Sequence, residues 1–150
     1  MADTVLVVED DQANAVLMEA ILGRVGGFDV ICSDDGDRIL EIVASGTIAA
    51  VLMDVSLKNT RLDGRKVDGV DLTRRIRTLP AGVHLPILLL TAHAMRGDRE
   101  RLLFSSGANG YVAKPIVDQN ALVQLVRRHI SSSGMLGGPS SRDTRADGNA

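Results

Sequence analysis

Residues 5–11 read VLVVEDD: four apolar side chains, Val5 to Val8, run directly into three acids, Glu9, Asp10 and Asp11. An apolar run this short and this β-branched suits a strand covered on both faces, and such strands belong to parallel sheets flanked by helices. The next segment has helical spacing. From about Asp11 to Val25, the residues Ala13, Val16, Leu17, Ala20 and Ile21 share one helical face, Asp11 stands where an N-cap is expected, and Gly26-Gly27 ends the segment.

The strand-then-helix unit recurs along the chain. Phe28 to Cys32 is the second apolar run, and a helix from about Gly36 to Ala44 comes after it with Ile39, Leu40 and Val43 inward. Ala49 to Met53 precedes a helix from about Gly69 to Leu79, with Leu72, Ile76 and Leu79 on one side. Pro86 to Leu90 precedes a weakly amphipathic helix from about Met95 to Ser106. Gly110 to Ala113 leads to the last helix, Asp118 to Ile130, which Asp118 caps and which turns Leu122, Leu125 and Val126 inward. Strands alternating with helices of this length imply parallel strands joined by right-handed crossovers, hence a three-layer α/β sandwich. One ordered domain is expected over 1–130. Residues 131–150, rich in Ser and Gly with charges of both signs, are expected to form a disordered tail.

Composition narrows the function classes. With 150 residues, 45% apolar and 24% charged, the chain has the balance of an ordinary globular domain. A net charge of −2 creates no field for nucleic acid or an anionic membrane, and 2% aromatics leave no base-stacking platform or flavin pocket. The single cysteine, Cys32, rules out a disulfide framework and reads as a buried free thiol in a reducing compartment. The first apolar run is too short for a signal peptide, and no stretch approaches a membrane span. A cytoplasmic protein is expected, with neither nucleic acid nor membrane as partner. His84, His129 and the run Arg74, Arg75, Arg77 read as solvated groups.

In an open parallel sheet, ligands bind beyond the carboxyl ends of the strands. Glu9 and Asp10 stand at the end of the first strand, Asp54 of the third, Thr91-Ala92 of the fourth and Lys114-Pro115 of the fifth. Acids this close repel one another unless a cation is bound, and carboxylates without His or Cys suit Mg2+. An Asp beside such an ion can attack phosphorus to form an aspartyl phosphate, with Lys114 and Thr91 each holding a phosphoryl oxygen.

The segments VLVVEDD, VLMD, LLLTA and GYVAKP, in this order and at these separations, resemble the receiver domain of bacterial response regulators over about Thr4 to Ile130. The resemblance implies a flavodoxin-like, doubly wound sheet of five parallel strands in the order 2-1-3-4-5 with five helices. It implies a single-domain response regulator that takes a phosphoryl group from a sensor histidine kinase on Asp54 and signals by phosphorylation-dependent binding to a downstream protein. Such a chain is no enzyme beyond slow self-dephosphorylation, and a homodimer stays open. By the same resemblance Asp10 is the direct Mg2+ ligand, Glu9 an acid acting through water, and Ser56 a ligand through its carbonyl. Thr91 and Lys114 are the phosphoryl-binding hydroxyl and lysine, and Ala92 offers its backbone N–H. Thr91 and Tyr111 form the switch, the Lys114-Pro115 bond is cis, and His93 lies where dephosphorylation is tuned.

One departure stands out. The segment VSLKNTRLDGRKVDG, Val55 to Gly69, is several residues longer than the usual connection, lacks Pro and carries two Asp-Gly pairs, of which Asp68-Gly69 leads into the helix. The loop Leu57 to Val67 is basic, through Lys58, Arg61, Arg65 and Lys66 against Asp63. Loops of this kind also occur in stand-alone partners of cyanobacterial phytochrome kinases. An aspartate-nucleophile phosphatase of the haloacid dehalogenase type needs a second Asp two residues past the nucleophile, where this chain has Ser56. A receiver degenerated into a pure binding module is disfavoured because every acceptor residue is present. A flavodoxin would need a phosphate loop where the first strand runs into acids.

Overall fold

The computed structural model describes residues 2–92 and 96–137. Its elements are β1 (Thr4–Val8), α1 (Gln12–Ala20), β2 (Asp29–Ser33), α2 (Gly36–Ala44), β3 (Ala50–Asp54), β4 (Arg61–Leu62), β5 (Arg65–Lys66), α3 (Gly69–Arg77), β6 (Ile87–Thr91), α4 (Arg96–Ser106), β7 (Gly110–Ala113) and α5 (Gln119–Gly137). The main sheet runs β2-β1-β3-β6-β7 with every pair parallel. Apart from the small β4–β5 ribbon, this is the expected 2-1-3-4-5 order, with β6 and β7 as the fourth and fifth strands.

Alternation along the strands divides the core in two. Leu6, Val8, Val51, Met53, Ile87 and Leu89 meet Ile39 and Val43 of α2 and Leu72 and Ile76 of α3. Val5, Val7, Leu52, Leu88 and Leu90 meet Met18 of α1 and Leu122, Val123 and Val126 of α5. Both faces of β1, β3 and β6 are therefore dry, the reason these segments read as unbroken apolar runs. Aspartates start the helices: Asp11 caps α1, Asp35 caps α2, and Asp68 forms a capping box with Asp71 at α3.

Several expectations are corrected. Helix α1 buries Ala15 and Met18, while Val16 and Leu17 are exposed. Two neighbouring apolar stripes lie on this helix, and periodicity alone does not say which one the sheet takes. A π-helical turn, Ile21–Val25, then brings Ile21 and Leu22 into the core. Cys32 is exposed, because β2 is the edge strand and none of its residues is fully covered. The last helix continues past Ile130 to Gly137, where the Ser133 hydroxyl donates to the His84 carbonyl at 3.1 Å. His129 is half-buried, not solvated, and burial, reinforced by the Arg128 charge, lowers its pKa. His93 lies outside the described residues.

The long segment after β3 is an ordered ribbon. Arg61 pairs with Lys66 and Leu62 with Arg65, and the reversal falls at Asp63 (φ 52°) and Gly64 (φ 80°). Two consecutive left-handed residues match the twist of a tight hairpin, which explains the first Asp-Gly pair.

The arginines of α3 are not one solvated face either. Arg77 donates from Nε to Gly107 O (2.9 Å), from Nη1 to Gly82 O (2.7 Å) and Leu85 O (2.6 Å), and from Nη2 to Asn109 Oδ1 (2.8 Å). Arg74 Nε donates to Ser105 O at 2.7 Å, tying α3 to the end of α4. Arg74 and Arg75 both lie on the surface as expected, Arg75 beside Asp63 at 3.5 Å, and Arg77 is the one that departs. Arg77→Met keeps the apolar stem and strips the charged donors from three carbonyls, so it should cost about 2–3 kcal/mol in urea denaturation. Arg75→Met should stay within about 0.5 kcal/mol of wild type. Equal effects of the two substitutions would contradict this division of roles.

Candidate functional site

Strand register assembles the site. Val8 lies beside Met53, Asp54 beside Leu90 and Thr91 beside Ala113, so the residues just beyond them emerge along one carboxyl edge. Behind Asp54 the first turn of α3 packs so tightly that a Cβ on Gly69 would sit 2.2 Å from the Asp54 carbonyl oxygen. That approach explains the second Asp-Gly pair: Asp68 caps the helix and Gly69 lets it close on β3.

Glu9 and Asp54 are buried at the floor of a cleft of about 270 Å3. Lys114 Nζ stands 3.1 Å from Asp54 Oδ1 and 3.8 Å from Glu9 Oε1. The Ser56 N–H also donates to Asp54 Oδ1, at 3.1 Å, and the Asp11 N–H donates to Glu9 Oε2 at 3.2 Å. Asp10 Oδ2 accepts the N–H groups of Lys58 (2.6 Å) and Asn59 (2.9 Å). Glu9, Asp10, Asp54, Ser56 and Lys114 thus line one cleft, together with Asp11, Asn14, Lys58 and Asn59. Asn14 could have been noticed, three residues past the Asp11 cap on the first turn of α1. Lys58 is expected from sequence only as one charge of a basic loop, and the main-chain contacts that Lys58 and Asn59 make depend on the path of the ribbon.

Thr91 and Ala92 stand at the neighbouring strand end and do not line the cleft. Thr91 is buried, and its carbonyl accepts the Lys114 N–H at 2.9 Å; Ala92 is exposed. The Lys114-Pro115 bond is cis, as expected. Tyr111 is half-buried off the cleft. Its hydroxyl accepts a hydrogen bond from Arg99, whose guanidinium lies 4.9 Å from the ring centroid.

Burial is the main force on Glu9, raising its pKa from 4.5 to about 7. A side-chain hydrogen bond with Asp54 and the Asp54 charge push the same way, against the Asp11 N–H and Lys114. The donor set fits a hard cation. Carboxylate oxygens of Glu9, Asp10 and Asp54 lie within 4.8 Å of one another, and Glu9 Oε1 is buried without a hydrogen-bond partner among the described residues. Among the described residues the donor set is oxygen alone, which matches Mg2+.

A family model for the response regulator receiver domain matches residues 5–127. The chain belongs to this family, the phospho-acceptor domains of two-component signalling, which bind Mg2+ at an acidic site and partner with histidine kinases. The receiver domain of a Pseudomonas aeruginosa sensor histidine kinase, solved with a magnesium ion coordinated in its active-site cleft, is 34% identical. The similarity covers 87% of this chain and 99% of that one, with a TM-score of 0.73. Hybrid signal transduction histidine kinase I of Dictyostelium discoideum is 37% identical over 114 residues, 75% of this chain but only 6% of the kinase. The polar-differentiation response regulator DivK of Brucella anthropi is 28% identical over 116 residues, 77% of this chain and 87% of DivK. Among the described residues no helix is long and apolar enough to cross a membrane.

The metal-free protein should show a pH dependence set by Glu9. Its folded pKa, about 7, lies above its unfolded value near 4.5, so the folded chain holds an extra proton between the two. The contribution of Glu9 is fully present below about pH 4.5 and is lost as pH rises through 7. In a chelating buffer, wild type should lose more thermal stability than Glu9→Gln between about pH 5 and pH 8, the range in which that proton is released. Parallel profiles for the two proteins would contradict the assignment.

Proposed function

We propose that this chain takes a phosphoryl group from a sensor histidine kinase onto Asp54 and passes the signal on by binding a downstream protein. The observation that carries this reading is the Asp54 carboxylate. It is buried, yet it opens into the cleft, and one oxygen is pinned by both the Ser56 N–H and the Lys114 ammonium. Orienting a nucleophile in this way lowers the entropy cost of attack.

In the proposed step a bond forms from an Asp54 carboxylate oxygen to phosphorus. The bond from phosphorus to the kinase histidine nitrogen breaks, and its electron pair returns to the imidazole. Glu9, Asp10, Asp54 and the Ser56 carbonyl would hold Mg2+, which when bound supplies positive charge against the phosphoryl oxygens. Lys114, already in contact with Asp54, takes one phosphoryl oxygen as its partner. The Thr91 hydroxyl and the Ala92 N–H take others once the end of β6 closes over the cleft. Movement of Thr91 toward the phosphoryl group leaves room behind it for Tyr111, the second half of the switch. Slow hydrolysis of the acyl phosphate resets the chain.

The face formed by α4, β7 and α5 is the proposed output surface. Phe104 of α4 is 93% exposed, and Val117, just before α5, is 91% exposed, so large apolar groups are available to a protein partner. A homodimer through the same face stays open, and the cytoplasm, where the kinase presents its phosphohistidine, is the proposed compartment.

Acetyl phosphate with Mg2+ should add one phosphoryl mass to wild type, removable by hydroxylamine, and none to Asp54→Asn. Intact-mass spectrometry reads both. Labelling of the variant at the wild-type rate would move the acceptor elsewhere.

A further inference from the structure

We infer that the β4–β5 ribbon is a brace for the metal site. Its leading residues, Lys58 and Asn59, position Asp10 through their backbone N–H groups and so set the affinity of the cleft for Mg2+. This rests on the reading of the cleft as an Mg2+ site.

Asp10 lies two residues past the end of β1 and is only half-buried, so the strand does not fix its side chain. Among the described residues its side-chain hydrogen bonds come from one source, the Lys58 and Asn59 N–H groups, 48 and 49 residues further along. Both converge on Oδ2, and among the described residues no hydrogen bond reaches Oδ1, while Asp10 itself lines the cleft. Two charge-assisted bonds on one oxygen fix the carboxylate plane and disperse some of its charge among Glu9 and Asp54. Ligating carboxylates are commonly held in this way, and losing the holding group typically weakens metal binding about 10–100-fold.

The donors are themselves held in place. Leu57, Thr60 and Leu62 are buried around them, and the Thr60 carbonyl accepts the Val67 N–H at 3.0 Å, closing the base of the ribbon. The ribbon leans on the first turn of α2: the Asp63 N–H donates to Asp37 Oδ1 at 3.3 Å. The Arg61 carbonyl lies so near Gly36 that a Cβ there would be 2.4 Å from it. On the other side Asp63 meets Arg75 of α3. A continuous set of contacts therefore runs from α2 and α3 through the ribbon to Asp10, and the length of the segment from Leu57 to Val67 is what lets it reach.

Calorimetric titration of the full chain with MgCl2 tests the brace. Lys58→Pro deletes one N–H donor and should weaken Mg2+ binding by about tenfold. Lys58→Ala keeps the N–H and removes a cation from the cleft, so it should bind Mg2+ as tightly as wild type or more tightly. Gly36→Ala changes no cleft residue but forces the Arg61 carbonyl aside, and it should weaken binding severalfold. If proline unfolds the chain, the Gly36 variant decides alone. Wild-type affinity in Gly36→Ala and in a folded Lys58→Pro would overturn the brace, as would an equal loss in Lys58→Ala and Lys58→Pro. Wild type that binds no Mg2+ would instead overturn the metal-site reading beneath it.

Discussion

Three carboxylates, from Glu9, Asp10 and Asp54, converge at the carboxyl edge of the sheet against the ammonium of Lys114. Left alone, such a cluster pushes itself apart, and each feature around it answers that repulsion in a different way. Glu9 answers by taking up a proton near neutral pH. Asp54 shares one oxygen between the Ser56 N–H and Lys114, and Asp10 leans on two N–H groups of the ribbon. The dry core beneath keeps these partial solutions in register, because a slip of β1 or β3 would draw Glu9 or Asp54 in among apolar side chains. The three carboxylates are thus held together by donors that the chain itself supplies.

Much of this was legible in the sequence. Unbroken apolar runs marked β1, β3 and β6 because strands buried on both faces tolerate nothing else, and the parallel rule then placed Glu9, Asp10, Asp54 and Lys114 on one edge. Aspartates before α1, α3 and α5 announced the helix starts. The misreadings share a cause: each concerned a choice that only tertiary packing makes. Helix α1 offers two apolar stripes, and the one against the sheet is decided by its docking angle. Cys32 sits in an apolar run that happens to be an edge strand. Arg77 resembles its neighbours Arg74 and Arg75, yet the carbonyls it ties lie in connections that only the fold brings together.

The ribbon was hidden for a related reason. Each of its two Asp-Gly pairs has its own task. Asp63-Gly64 supplies the left-handed turn, and Asp68-Gly69 supplies a cap and a close contact with β3. Spacing located the second, since a helical pattern comes directly after it. The first is bounded by strands of two residues each, too short to show alternation.

That Asp10 is met by main-chain donors has a consequence for how this chain can diverge. Every amino acid except proline presents an N–H at positions 58 and 59, so drift in their side chains leaves that contact intact. The outward charges of Arg61, Arg65 and Lys66 are equally unconstrained by the cleft. Drift at Arg61, Arg65 and Lys66 can therefore change the charge on the outer face of the ribbon while the main-chain contacts to Asp10, a few residues away, stay as they are.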